Sequence, residues 1–72
     1  MSNMQQNMLS QREAQILELM AKGSTNNVIA AELGSAHRTV EQHITNIFNK
    51  LQVSDRTSAV LKGLGAGWIC LQ

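Results

Sequence analysis

Residues 36–51, AHRTVEQHITNIFNKL, decide the fold, because they make up the longest amphipathic stretch of the sequence. Apolar side chains recur there at intervals of four, three, one and three positions, at Val40, Ile44, Ile47, Phe48 and Leu51. This spacing places all five on one side of an α-helix. The pattern therefore predicts a helix that buries this face in a core.

The opposite side of the same helix carries amides, a hydroxyl and a guanidinium group. These are Arg38, Gln42, Thr45 and Asn49, with Glu41 and Asn46 at the margins. A solvated helix face in a small domain is usually a mixture of Lys and Glu, whereas amides, hydroxyls and Arg match base edges and phosphates. Taken alone, this face is either a recognition surface or an ordinary polar face.

The segment upstream favours the recognition surface. Residues 25–33, TNNVIAAEL, predict a short helix that ends at Gly34, and three residues, Gly-Ser-Ala, separate it from the long one. A short helix, a glycine-containing turn and a longer helix are typical of the helix-turn-helix motif, whose second helix enters the major groove of DNA.

Two further helices complete an all-α prediction. Ser10 and Glu13 form an S-x-x-E capping box that begins the first helix, and Ser54 or Asp55 caps the last, whose apolar face is Val60, Leu61 and Leu64. We predict a four-helix bundle with helices at about residues 10–21, 25–33, 37–51 and 55–66. Residues 1–8 are expected to be a disordered leader or linker end, and residues 9–72 one domain.

Glu13 poses a separate question, because it lies on the apolar face of the first helix with Ile16, Leu17 and Met20. A buried carboxylate needs a partner. Either the capping box satisfies it, or a cation elsewhere in the chain does, with Arg56 as the candidate.

Composition excludes several classes of protein. The 72 residues contain one cysteine, so no intrachain disulfide can form, and neither a zinc-type spacing of Cys and His nor an apolar run of about 18 residues occurs. No phosphate-binding loop, nucleophile with a base, or metal cluster indicates an enzyme, a cofactor or a small-molecule ligand. We expect a cytoplasmic protein that makes no contact with a membrane.

The net charge of +1 is weak for a nucleic-acid binder, but its distribution is uneven. The first 34 residues carry two cations and three carboxylates, whereas the remaining residues carry four cations and two carboxylates. The positive half is the half that contains the candidate recognition helix.

Five motifs together resemble the LuxR-type (GerE, NarL and FixJ-like) DNA-binding domain of bacterial transcription regulators, which include response regulators. They are L-S-x-R-E at residues 9–13, G-x-[ST]-N-x-x-I-A-x-x-L at 23–33, T-V-x-x-H at 39–43, N-I-F-x-K-L at 46–51 and R-T at 56–57. The resemblance implies a four-helix bundle whose third helix binds double-stranded DNA and whose fourth helix makes a dimer contact.

By position, the resemblance implies that Arg38, Glu41, Gln42 and Thr45 touch bases or nearby phosphates, and that Thr39, Asn46 and Lys50 touch the DNA backbone. Gln42 is the first candidate for a base contact, because its amide can pair with adenine through two hydrogen bonds. His43 lies beside the apolar stripe, where a structural role is expected.

Two positions depart from the family pattern. Glu41 stands where family members usually carry Lys or Arg, and a carboxylate repels phosphate although it can accept from cytosine N4. Ala36 stands where the family usually has a capping serine, so either Ser35 caps the third helix or that helix loses about 1 kcal/mol.

Partners follow from the same reasoning. One recognition helix with few charges favours a homodimer on a two-fold DNA site, with Leu64 and Trp68 as the candidate dimer face, and Trp68 could instead close the core. RNA polymerase is a further candidate partner. The alternatives are a protein-interaction module on a helix-turn-helix fold without DNA affinity and, less well matched, the DNA-reading region of a sigma factor.

Overall fold

The computed structural model describes residues 8–70, and in that range every regular element is a helix. The helices are α1 (Gln11–Ala21), α2 (Asn26–Leu33), α3 (His37–Leu51) and α4 (Arg56–Gly65). This confirms the predicted all-α, four-helix architecture. The predicted leader, residues 1–8, lies outside the described residues except for Met8, which is exposed.

Three of the four helices begin at a side-chain cap that their sequence predicts. The Ser10 hydroxyl accepts from the Glu13 amide at 3.1 Å while the Glu13 carboxylate accepts from the Ser10 amide at 2.9 Å, so the capping box is formed. Thr25 caps α2, and Asp55 caps α4 through the Ser58 amide at 2.8 Å. These hydrogen bonds satisfy amides that the first helical turn leaves without a partner.

The start of α3 is different, because its N-cap residue is Ala36 and no side chain accepts a hydrogen bond there. Ser35 does not replace the missing serine. Its backbone amide instead donates to the carbonyl of Ala30 at 3.0 Å, closing the end of α2 beyond Gly34.

Helix α3 packs against all three other helices, and the core lies beneath its apolar face. The largest fully buried side chains of the core come from three helices: Ile16 and Leu17 of α1, Ile29 of α2, and Val40, Ile47 and Leu51 of α3. Ile44 and Phe48 pack at the edge of this cluster. The stripe read from the sequence is therefore the side that α3 turns inward.

Helix α4 is rotated relative to the sequence prediction. Leu61, expected in the core, is 64% exposed, whereas Ala59 and Gly63 are buried and Val60 and Leu64 are half-buried. At Gly63 a Cβ atom would lie 2.8 Å from Cδ2 of Leu17, closer than real Cβ contacts. The helix turns its smallest residues toward α1, and this close approach leaves Leu61 on the outside.

Candidate nucleic-acid interface

The outward face of α3 is open to solvent along most of its length. Arg38, Gln42, Thr45 and Asn49 are all exposed, and Glu41 is exposed beside them. Because these positions are separated by three or four residues, their side chains form one continuous surface. The structure therefore brings the predicted base-contacting residues together and leaves them uncovered by the described chain.

Two amides on this face already contact each other. Nε2 of Gln42 donates to Oδ1 of Asn46 at 3.3 Å, one helical turn further along. The contact is long and exposed, so both amides can exchange it for another partner.

The beginning of α3 combines an exposed cation with helix amides that lack a side-chain cap. Arg38 and Thr39 are exposed in the first turn, and the side chain of Ala36 offers no acceptor to the amides that follow it. Helix N-termini of this kind favour anions, since the free amides and the helix dipole both attract negative charge. This end of α3 is suited to contact a phosphate group.

Glu41 is paired within its own helix. Its Oε2 lies 3.5 Å from Nδ1 of His37, and the two side chains are 57% and 46% exposed. Because both side chains are about half exposed, the carboxylate can exchange this contact for a partner outside the protein. His43, which we expected to be structural, is half-buried on the opposite flank of the helix.

Lys50, near the other end of α3, forms the tertiary ion pair of the site. Its Nζ lies 2.7 Å from Oε1 of Glu13, whose side chain is only 6% exposed, while the Lys50 side chain is 40% exposed. The cap and the cation therefore both satisfy Glu13, so the alternatives weighed from the sequence operate together. The predicted candidate Arg56 was wrong: its guanidinium donates to the carbonyl of Ser24 and to Oδ1 of Asn26.

The environment of Glu13 shifts its acidity. Burial alone would raise the pKa of this carboxyl, but the hydrogen bond from Lys50, the amide and hydroxyl of Ser10 and the positive charge of Lys50 outweigh it. The pKa of Glu13 is consequently lowered below its ordinary value, and the carboxylate stays ionised at neutral pH.

Sequence reasoning missed this partner because Lys50 is 37 residues away and periodicity shows which face of a helix is buried, but not which neighbour each flank meets. The one available signal was the position of Lys50 at the border of the apolar stripe. A lysine there can reach a neighbouring helix with its charged end while its methylene groups pack along the core.

The two candidate dimer residues lie in and just after α4. Leu64 and Trp68 are half-buried and pack against the core, while Ile69 next to them is buried. The exposed large apolar side chain of α4 is Leu61. Between residues 8 and 70, no group of three or more acidic, His or Cys side chains could hold a metal ion, and no helix could span a membrane.

Comparison with known proteins identifies the same family as the motifs. Residues 7–62 match the family described as GerE, "Bacterial regulatory proteins, luxR family". The transcriptional regulatory protein DegU of Brevibacillus brevis is 39% identical over 61 residues, which cover 85% of this chain and 26% of that protein. LiaR of Bacillus subtilis strain 168 is 53% identical over 53 residues, covering 74% and 25%. The chain thus spans about a quarter of the length of these curated relatives.

Solved structures agree with the sequence comparison. The structure described as "Structure of Transcription factor, GerE" superimposes with a TM-score of 0.87 and 33% identity, covering 93% of this chain and 100% of that chain. The response regulator ChrA of a haem-sensing two-component system gives a TM-score of 0.84 at 33% identity, over 92% of this chain and 33% of that one. The chain belongs to the luxR family of bacterial regulatory proteins.

Proposed function

We propose that this chain binds double-stranded DNA in a sequence-specific manner and that α3 enters the major groove. The observation that carries the proposal is the outward face of α3, on which Arg38, Gln42 and Thr45 are exposed together. A B-DNA major groove admits one α-helix, and residues on its outer face meet the base edges. Family membership supports the proposal, because the relatives are transcriptional regulatory proteins.

Within this face, Gln42 takes the base-reading role. It lies opposite the buried stripe, so it points to the floor of the groove. Its side-chain amide can donate to adenine N7 and accept from the adenine N6 amino group. Releasing the weak contact with Asn46 costs little, since it is 3.3 Å long and exposed. Thr45, one turn further along, lies close enough to contact the neighbouring base pair or its thymine methyl group.

Residues on the two flanks of this face contact the DNA backbone. Arg38 and Thr39 contact a phosphate at the uncapped start of α3, where the free amides reinforce the attraction. Asn46 and Lys50 lie on the flank toward α1 and contact phosphates further along. Glu41, on the other flank, accepts from cytosine N4 rather than approaching a phosphate, because its carboxylate repels phosphate.

We further propose that two copies act together. A single recognition helix and a net charge of +1 give few contacts, and a two-fold arrangement with half-sites about 34–36 Å apart doubles them. The face between copies includes α4, with Leu64, Trp68 and the exposed Leu61 as its apolar residues. An exposed leucine on α4 also suits the second candidate function, docking on a different protein without DNA.

Selection of bound duplexes from a random pool tests these proposals. We expect an enriched sequence arranged as an inverted repeat, and a complex on that site that sediments with two protein chains. Gln42→Ala is expected to lose about 1–3 kcal/mol of discrimination at one base position of each half-site. Arg38→Ala is expected to weaken binding to every sequence.

Gln15→Ala is the matched control, because Gln15 is exposed on α1 away from α3 and undergoes the same change of side chain. It is expected to bind as the wild type does. Failure to enrich any sequence, or a Gln42→Ala variant that behaves like Gln15→Ala, would contradict base reading by α3 and favour the protein-docking alternative.

A further inference from the structure

We propose that Glu13 of α1 is a positioning residue for DNA binding, which holds the ammonium group of Lys50 where it meets a phosphate. The inference rests on the proposed function and extends the interface from α3 to a residue on α1 that itself never touches DNA.

The carboxylate of Glu13 is held in place by two donors. Oε1 of Glu13 accepts from the amide of Ser10 at 2.9 Å and from Nζ of Lys50 at 2.7 Å. The same side chain is 6% exposed, so bulk water offers it few alternative partners. A buried carboxylate that left Lys50 would be short of donors, which is unfavourable. Glu13 is thus a fixed point to which the flexible lysine is attached.

The pair with Glu13 leaves the ammonium group of Lys50 able to bind a second partner. An ammonium group has three N–H donors, and one of them is used by Glu13. The Lys50 side chain is 40% exposed, whereas its partner is covered, so solvent or a ligand can reach the lysine side of the pair. The ammonium can therefore bridge a carboxylate on its inner side and a phosphate on its outer side.

The ammonium group of Lys50 lies at the end of a row of side chains on α3. Thr39, His43, Asn46 and Lys50 follow one another at intervals of four, three and four residues, so they form one row along α3, and Lys50 at the end of the row meets Glu13 of α1. At 1.5 Å per residue this row extends about 16 Å. Thr39 and Asn46 are the proposed backbone contacts of that flank, and Lys50 continues the same row.

The benefit to binding is conformational. A lysine side chain has high rotamer entropy, and immobilising such a side chain on binding opposes association. Because Glu13 already restrains Lys50 in the free protein, less freedom is lost when the phosphate arrives. The opposite effect has its own physical cause. If the Glu13 carboxylate cancelled the charge of Lys50, removing that carboxylate would strengthen DNA binding.

A binding cycle separates these cases. Dissociation constants of the full chain are measured against salt concentration by fluorescence anisotropy, on the selected duplex and on a scrambled duplex of the same composition. The variants are Glu13→Gln, Lys50→Gln and the double variant, with Glu18→Gln as control. Glu18 is half-buried on α1 and gives the same change of charge. Gln retains a side chain that can complete the capping box.

We expect Lys50→Gln to weaken binding to both duplexes and to lower the salt slope by about one. Glu13→Gln is expected to weaken binding to both duplexes by about three- to ten-fold, with the preference between them unchanged. In the Lys50→Gln background the same change is expected to have no effect. Glu18→Gln should bind like the wild type.

Other results overturn the inference in distinguishable ways. If Glu13→Gln only impaired folding, it would lower the fraction of active protein in the wild type and in Lys50→Gln alike. An effect of Glu13→Gln that is equally large in both proteins therefore assigns Glu13 a structural role only. Tighter binding with a steeper salt slope means that Glu13 competes with DNA, and an effect equal to that of Glu18→Gln means that Lys50 acts alone. A wild-type chain that binds neither duplex overturns the proposed function itself.

Discussion

The two ends of α3 each carry a contact between a carboxylate and a basic side chain, and the two contacts differ in almost every physical respect. Toward the end of the helix, Nζ of Lys50 lies 2.7 Å from Oε1 of Glu13 on a different helix, and the carboxylate is almost completely buried. At the beginning, His37 and Glu41 are 3.5 Å apart, belong to the same helix and are both about half exposed. The Lys50–Glu13 pair fixes α3 to α1, while the His37–Glu41 contact leaves both side chains at the surface.

Other contacts repeat this difference. At the end of the helix, Nζ of Lys62 donates to the carbonyl of Leu51 at 2.8 Å, and Gln52 closes the last turn in a left-handed conformation with φ of 58°. At the beginning, Ala36 supplies no cap. The comparison indicates that polar tertiary contacts hold the last turns of α3, whereas the first turns are held by the buried Val40 and keep their polar side chains exposed.

The largest expected effect comes from breaking the anchored end. Lys50→Met preserves length and helix propensity but leaves the covered carboxylate of Glu13 with only its capping partners. Losing one member of a fully buried pair costs about 3–5 kcal/mol. Because Lys50 is 40% exposed, we expect about 2 kcal/mol, or a fall in melting temperature of about 8–16 °C. Thermal unfolding followed by circular dichroism measures it.

Three controls distinguish an unpaired charge from lost packing. Lys22→Met makes the same change at an exposed position, and it should lower the melting temperature far less. Glu13→Gln combined with Lys50→Met should recover at least half of the loss, because no buried charge remains. Since the pKa of Glu13 is lowered in the folded protein, the stability it contributes is present above its ordinary pKa of 4.5 and is lost as pH falls through the lowered value. The penalty of Lys50→Met should therefore shrink in acid, and a penalty independent of pH would contradict the assignment.

The fold could be predicted to this extent because its signals are local. Caps and apolar spacing act within a few residues, and α3 was predicted at residues 37–51 and lies at His37–Leu51. The rotation of α4 could not be predicted in the same way. Gly63 packs so close to Leu17 that a Cβ atom would lie 2.8 Å from its Cδ2, and a glycine contributes nothing to an apolar pattern. Leu61 therefore looked like a core residue and is exposed.

The candidate site divides along the same line. Exposure of Arg38, Gln42 and Thr45 follows from the periodicity of one helix, so the sequence was sufficient to find that surface. The partner of Glu13 depends on how two helices cross. Arg56 and Lys50 were equally cationic in sequence, and only the crossing of α1 and α3 brings the second to the carboxylate. Contacts within a helix are readable in advance, whereas contacts between helices need the fold.

A smaller effect is expected from giving the open end a cap. Ala36→Ser supplies a hydroxyl that can accept from an amide in the first turn of α3, which is worth about 1 kcal/mol and about 4–8 °C in melting temperature. Thr25→Ala removes the equivalent bond from α2, where the hydroxyl accepts from the Val28 amide at 3.3 Å, and should change stability by a similar amount in the opposite direction. An unchanged melting temperature for Ala36→Ser would show that those amides are already satisfied.

The smallest effect concerns the exposed contact between His37 and Glu41. In a double-mutant cycle of His37→Gln and Glu41→Gln, measured by urea unfolding, we expect a coupling free energy of at most about 0.5 kcal/mol. Both side chains are about half exposed, so water and salt screen them, and the coupling should vanish in high salt. A coupling above about 1 kcal/mol would make the two ends of α3 alike. It would also mean that His37 holds Glu41 firmly, and a carboxylate held in this way could not turn to accept a hydrogen bond from cytosine.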